Sequence, residues 1–300
     1  MDYRNYYRAQ RKRNRRRRSL QRLGFFVLLI ALLLGLAAVI TKIIEHAQGT
    51  ADSSFVLSQA AGSGSGAASA PASSGSASAA AGAAVPEKGR VELSYFSDAA
   101  FVGDSITTGW VDYKTAANLP DTHVIAAIGV TPPVNGAQWG NSDGSTYDPV
   151  QAIVDAAPTK IYLMFGANKL VDQSSTAEDT LVSSYGEFLD TLRAKLPNAK
   201  IYLQSILIPT ADGTAAKPGL TAERIARVNT RLQQLAAEKG CYYLDLQAAL
   251  CPNGALSADY AAGDGIHLSK NGYAAWLEYL ITHTVYDPAN PYVGGIDPGT

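Results

Sequence analysis

Five short apolar runs, bounded by turn residues and spaced by helix-patterned segments, constrain this chain more than any other feature. They are Ala99–Val102, His123–Ile128, Lys160–Phe165, Lys200–Leu207 and Cys241–Leu246. β-Branched and aromatic residues recur in them, as in strands buried on both faces of a parallel sheet. Between the third and fourth runs, Leu181, Tyr185, Phe188, Leu189, Leu192 and Leu196 return at helical spacing until Pro197-Asn198 ends the pattern. Between the fourth and fifth, Ile225, Val228, Leu232, Leu235 and Ala236 form a second stripe, closed by Gly240. A last helix is expected after Ser269, with Tyr273, Trp276, Leu277 and Leu280 on its apolar side. Strands alternating with helices of this length need right-handed crossovers. The spacing therefore predicts an α/β domain over residues 89–285, a three-layer α/β/α sandwich around a five-stranded parallel sheet. Residues 286–300 read as an extended Pro/Gly tail.

The composition ahead of this domain is of another kind. Residues 1–22 hold ten Lys or Arg against Asp2 alone, a net charge of +9. The whole chain is −1, so the remainder carries −10. The basic end is thus separate from a mildly acidic folded part. Leu23–Thr41 then runs for nineteen residues without a charge. At about 1.5 Å per residue a helix of that length matches the ~30 Å of a bilayer core. The run exceeds the core of a cleaved signal peptide, and no Ala-x-Ala site follows it closely, so residues 23–44 are expected to be one uncleaved transmembrane helix in contact with membrane lipid. The Arg cluster before it places the N-terminus in the cytoplasm and all that follows outside the cell membrane. Beside a membrane span, the Arg run is assigned to topology and anionic lipid, and no nucleic-acid partner is expected. Residues 45–88, rich in Ala, Ser and Gly, form a linker with little to bury. Cys241 and Cys251 fall on the exported side, where a disulfide is permitted, and their spacing leaves both a pair and two free thiols open. There is no His/Cys cluster of zinc spacing, and no metal or organic cofactor is implied.

Chemistry concentrates in four short motifs placed where strands are expected to end, which is where parallel sheets gather ligands. Gly103-Asp104-Ser105 offers a hydroxyl at the turn after the first strand. Asp264-Gly265-Ile266-His267 offers an imidazole with a carboxylate three residues before it, a spacing that lets the acid accept the Nδ1–H on one tight loop. A serine hydroxyl is a weak nucleophile until such a base takes its proton. Asn168, in Gly166-Ala167-Asn168, brings a side-chain amide to the end of the third strand, and Gly129 brings an unshielded N–H after the second. Donors of this kind steady a developing oxyanion, each worth about 3 kcal/mol of barrier. Ser105 also has the chemistry of a helix N-cap, and Asp104 that of a residue bonding loop backbone beside it.

With these blocks in this order, the chain resembles the SGNH hydrolases, also called GDSL esterases and lipases, in a membrane-anchored bacterial form. The match covers roughly residues 95–285. The resemblance implies a flavodoxin-like sandwich and a serine ester hydrolase. Ser105 would be the nucleophile, with His267 and Asp264 completing the triad. Ser105, Gly129 and Asn168 would form the oxyanion hole. Two positions depart from the family pattern: Lys169 stands where many members have Asp, and Ile106 where many have Leu. Trp110, Tyr113, Trp139 and Tyr147 lie near loops on the same side, where aromatics stack on sugar rings or cap a core, and Trp110, Trp139, Tyr147 and Lys169 are candidate substrate contacts. Thr131–Asp148 reads as a substrate-side loop. With an exported domain tethered among envelope polymers, the expected substrate is an ester, above all an O-acetylated glycan. The same triad serves an acyltransferase if a sugar hydroxyl replaces water, and a binding module that kept the fold is a further alternative.

Overall fold

The structure is a computed structural model and describes residues 83–293 apart from 120, 142 and 143. The basic segment 1–22, the apolar span 23–44, most of the linker 45–88 and the end of the tail 286–300 lie outside the described residues.

A five-stranded parallel sheet forms the centre. Its strands are β1 (Ala99–Gly103), β2 (His123–Ala126), β5 (Lys160–Met164), β6 (Lys200–Gln204) and β7 (Tyr242–Leu244), in the order β2-β1-β5-β6-β7. β1 therefore lies inside the sheet, with Gly103 opposite both Ala126 and Met164. A separate antiparallel ribbon joins β3 (Trp139–Gly140) to β4 (Thr146–Tyr147). The helices are α1 (Ser105–Thr108), α2 (Trp110–Ala116), α3 (Pro149–Ala156), α4 (Ala167–Leu170), α5 (Ala177–Lys195), α6 (Ala211–Ala216), α7 (Ala222–Glu238), α8 (Gln247–Leu250) and α9 (Lys270–Thr282). α5 packs on α7 in one layer, and α9 packs on α2 and α8 in the other.

The interior strands β1 and β5 are buried along their whole length, which explains why their sequences are apolar but for Lys160, which opens β5 and pairs with Asp98. The parallel register also aligns Phe101, Tyr162, Tyr202 and Tyr242 across four strands. Their rings follow one another at 5.0, 4.8 and 5.1 Å between centroids. Aromatic pairs of this kind contribute about 0.5–1.5 kcal/mol beyond their burial, so this row is a principal source of cross-strand packing. Trp110 and Trp276 continue it onto the helices, at 4.4 and 6.3 Å from Phe101.

Beyond the sheet's C-terminal edge, side chains take over the backbone partners that another strand would supply. Tyr185 Oη accepts from Phe165 N–H at 2.7 Å. The Asn229 amide pairs with both N–H and C=O of Ile206 at 2.9 Å. This is why β6 stops at Gln204 although the apolar run continues to Leu207. The segments after the strands are thus held as fixed loops.

The domain reaches further at both ends than its sequence boundaries implied. Val85 N–H bonds the Tyr243 carbonyl beside β7, and Val91 N–H bonds that of Ile281. Residues 286–293 fold back rather than extend: Tyr292 is buried, Val293 N–H bonds the Arg90 carbonyl, and Asp287 pairs with Lys200 at 3.1 Å. Cys241 and Cys251 are free thiols. Among the described residues no helix is long and apolar enough to cross a membrane.

Candidate active site

The chain leaves β1 at Gly103 and turns at once into α1. Asp104, not Ser105, caps that helix: its carboxylate accepts from Ile106 N–H at 3.1 Å. Ser105 is the first helical residue, so no capping bond occupies its hydroxyl. Tyr273 of α9 donates its hydroxyl to the Ile106 carbonyl at 2.6 Å and braces the turn from behind. Asp104 is almost wholly buried. Burial pushes its pKa up to about 6, against the opposing pull of Ile106 N–H, the His267 ring and Gly166 N–H.

The partner loop precedes α9. Asp264 Oδ1 accepts from the backbone N–H of Ile266 and of His267, both at 3.0 Å. Its other oxygen lies 2.6 Å from His267 Nδ1. Burial alone would raise this carboxyl, but the His267 and Ile266 N–H groups and the ring bring its pKa down to about 2. A carboxylate can only accept, so Nδ1 carries the proton and Nε2 is left as acceptor. Nε2 lies 2.8 Å from Ser105 Oγ. The loop is fixed from outside by Thr210 N–H, which bonds the Gly265 carbonyl at 2.9 Å, and Ser269 caps the following helix. His267 and Asp264 keep 40% and 51% of their side-chain surface, so the line of three groups opens to solvent.

Asn168 sits in α4, and its Nδ2 donates to the Val130 carbonyl at 3.0 Å. A carboxamide nitrogen carries two protons, which leaves one for another acceptor. This bond also ties the loop after β2 to the start of α4, a link that motif spacing did not reveal. Gly129 is exposed on that loop, with φ at +80° and nothing within 4 Å of where a Cβ would stand. The left-handed backbone, not lack of room, is what calls for glycine here.

Two of the four candidate substrate contacts, Trp110 and Trp139, prove to be buried. Trp110 is fully buried. It opens α2 with its ring turned inward, stacked on Phe101 and edge-on to Trp276 at 5.1 Å, and so belongs to the core. Trp139 is also buried, packed edge-on to Phe165 at 5.9 Å and to Tyr147 at 6.2 Å. Trp139 and Tyr147 are opposite each other in the β3–β4 ribbon, so the segment read as a loop has its own local order. Tyr147 is half-buried, and Lys169 lies 3.4 Å from Asp172. Among the described residues no group of three or more His, Cys, Asp or Glu side chains is arranged to hold a metal ion.

The sheet order and this Ser–His–Asp line describe an α/β protein of the hydrolase type, with its polar groups collected at the C-terminal edge of a parallel sheet. The chain belongs to the GDSL-like Lipase/Acylhydrolase family, whose model matches residues 101–275, more than half of its length. It is accordingly a carboxylic ester hydrolase. No curated protein matches it. Among solved structures it resembles a GDSL-like lipase from Bacteroides thetaiotaomicron, with 18% identity, 62% of this chain and 86% of that one covered, and a TM-score of 0.48. A lipase/acylhydrolase from Enterococcus faecalis gives 20%, 61%, 93% and 0.43. An acetyl xylan esterase gives 18%, 61%, 99% and 0.40. The family model carries the assignment, not these distant structures.

Proposed function

We propose that this protein is a membrane-tethered, extracytoplasmic serine esterase that removes O-acetyl groups from cell-envelope glycan. The observation that carries the mechanism is the unbroken line Ser105 Oγ, His267 Nε2, His267 Nδ1, Asp264 Oδ2, with gaps of 2.8 and 2.6 Å. Ser105 attacks the ester carbonyl as His267 takes its proton, and Asp264 holds the tautomer and balances the imidazolium. The negative oxygen is met by the N–H groups of Ser105 and Gly129 and by the free proton of Asn168 Nδ2. His267 returns its proton to the departing alcohol, and water, activated in the same way, frees the acid from Ser105. Two features support a large, hydrophilic carrier for the ester. The triad opens to solvent rather than into an enclosed apolar tunnel, and the Arg-rich segment, apolar run and Ala/Ser/Gly linker suit a domain held outside a membrane.

The test uses the full-length chain, its Ser105→Ala variant, a fluorophosphonate probe, and acetylated glycan beside p-nitrophenyl esters of increasing chain length. The expected result is probe labelling only with Ser105 present, a rate loss of about 10⁴-fold or more in the variant, and acetate release from glycan. Undiminished hydrolysis by Ser105→Ala would refute the mechanism. Preference for long acyl esters, with no acetate released from glycan, would refute the substrate.

A further inference from the structure

Arg224 of α7 reaches the helix that carries Asn168. Its guanidinium is largely buried, with 11% of the side chain exposed. Nη1 donates to the carbonyl oxygens of Leu170 at 2.8 Å and Asp172 at 2.9 Å, with that of Gly219 at 3.4 Å. Nε donates to Glu178 Oε1 at 2.9 Å, and this aims the fork. α4 is a single turn, and one turn does not persist by itself. The carbonyl of Leu170, its last residue, has no donor within the helix, and Arg224 supplies one from outside. Gly219 presses on the same place: a Cβ there would collide with the Leu170 carbonyl and stand 2.8 Å from that of Val171.

We propose that Arg224 is a positioning residue for the oxyanion donor, acting through α4. The inference rests on the reading of Asn168 as that donor. Arg224 contacts neither Ser105 nor His267 in the hydrogen-bond network. It fixes the C-terminal end of a one-turn helix whose other side is fixed by the bond from Asn168 to Val130. Release of that end lets the Asn168 amide drift, and a drift of about 1 Å from a reacting centre can cost roughly 10²-fold in rate. A planar fork that meets two carbonyls and a carboxylate together is a task for Arg, and a lysine ammonium cannot reproduce it.

The experiment is a double-mutant cycle on the full-length chain with p-nitrophenyl acetate as substrate: Arg224→Ala, Arg224→Lys, Asn168→Ala and the Arg224→Ala/Asn168→Ala pair. Arg227→Ala serves as control, because Arg227 shares Glu178 at 3.1 Å but touches no carbonyl of α4. If Arg224 acts through Asn168, Arg224→Ala lowers kcat by roughly tenfold to a hundredfold with KM little changed. The pair is then no slower than Asn168→Ala alone, and Arg227→Ala keeps full rate. Should Arg224→Ala fail to fold, Arg224→Lys takes its place in the cycle. Multiplicative losses in the pair, or a lowered Tm with unchanged kcat, would overturn the inference while leaving Asn168 its role. Full activity of Asn168→Ala would overturn the oxyanion reading first, and this inference with it.

Discussion

His267 Nε2 lies 2.8 Å from Ser105 Oγ although 162 residues of sequence separate them. The contact exists because β1 is an interior strand and because the loop before α9 is tied down by Thr210. The Ser105 turn and the His267 loop are each ordered by hydrogen bonds of their own, so the meeting costs little further ordering when a substrate arrives.

Asp264→Asn is expected to lower kcat by about 10⁴-fold with the fold intact, because an amide in that place favours the wrong imidazole tautomer. The carboxyl's pKa is depressed to about 2 from an ordinary 3.8, so its stabilising effect is present above pH 3.8 and is lost as pH falls toward 2. Unfolding titrations of both proteins should therefore diverge above that window and converge below it. A variant with unchanged kcat would remove Asp264 from the mechanism.

Asp104 has the opposite sign. Burial raises its pKa from 3.8 to about 6, so the fold pays no ionisation cost below pH 3.8 and the full cost above pH 6. That cost is about 3 kcal/mol. Relative to Asp104→Asn, the wild type should lose stability between pH 4 and 6 and remain level above, as read by denaturant unfolding at a series of pH values. A stability difference independent of pH would show that this carboxyl is not strained by burial.

Gly129→Ala and Gly136→Ala form a matched pair. Both glycines lie on the loop after β2, with φ at +80° and +78°, and neither has an atom within 4 Å of a new Cβ. Each substitution should cost about 1 kcal/mol of stability from backbone strain. Under the proposed mechanism only Gly129→Ala should also lower kcat, because only that N–H is assigned to the oxyanion. Equal kcat in the two variants would leave Gly129 as a turn residue.

Trp110→Phe tests the reassignment of that ring to the core. The expected outcome is a loss of about 2 kcal/mol in stability with KM for small esters unchanged. A raised KM with unchanged stability would return Trp110 to the substrate side.

Much of the fold was legible because the central strands advertise themselves. A strand covered on both faces reads as a near-continuous apolar run, and β1 and β5 do, Lys160 at the start of β5 apart. The stripes on α5 and α7 were equally plain. Strand ends were not, because Asn229 and Tyr185 decide them, and a polar residue inside a helical stripe gives no sign of which backbone it will hold. The motif spacing picked out the residues that the structure brings within hydrogen-bond range at 105, 264 and 267. Trp110 misled because its place beside a loop carries no information on direction, which is set by the start of α2. Asp104's capping of α1, the bond from Asn168 to Val130 and the reach of Arg224 all depend on tertiary approach, and no local pattern encodes them. The docking of Val85 and Tyr292 was hidden by the low-complexity surroundings of the first and the Pro/Gly setting of the second.

Tyr273 stands behind the turn of Ser105 and Trp276 packs on Phe101 of β1, and both follow His267 in the chain. A polypeptide that ends before its last helix thus carries Ser105, Asp264 and His267 and yet lacks the buttress that holds the serine in place. Parallel pairing between distant segments also forms slowly. Activity is therefore a late event in the life of each molecule, arriving only when the final helix has closed.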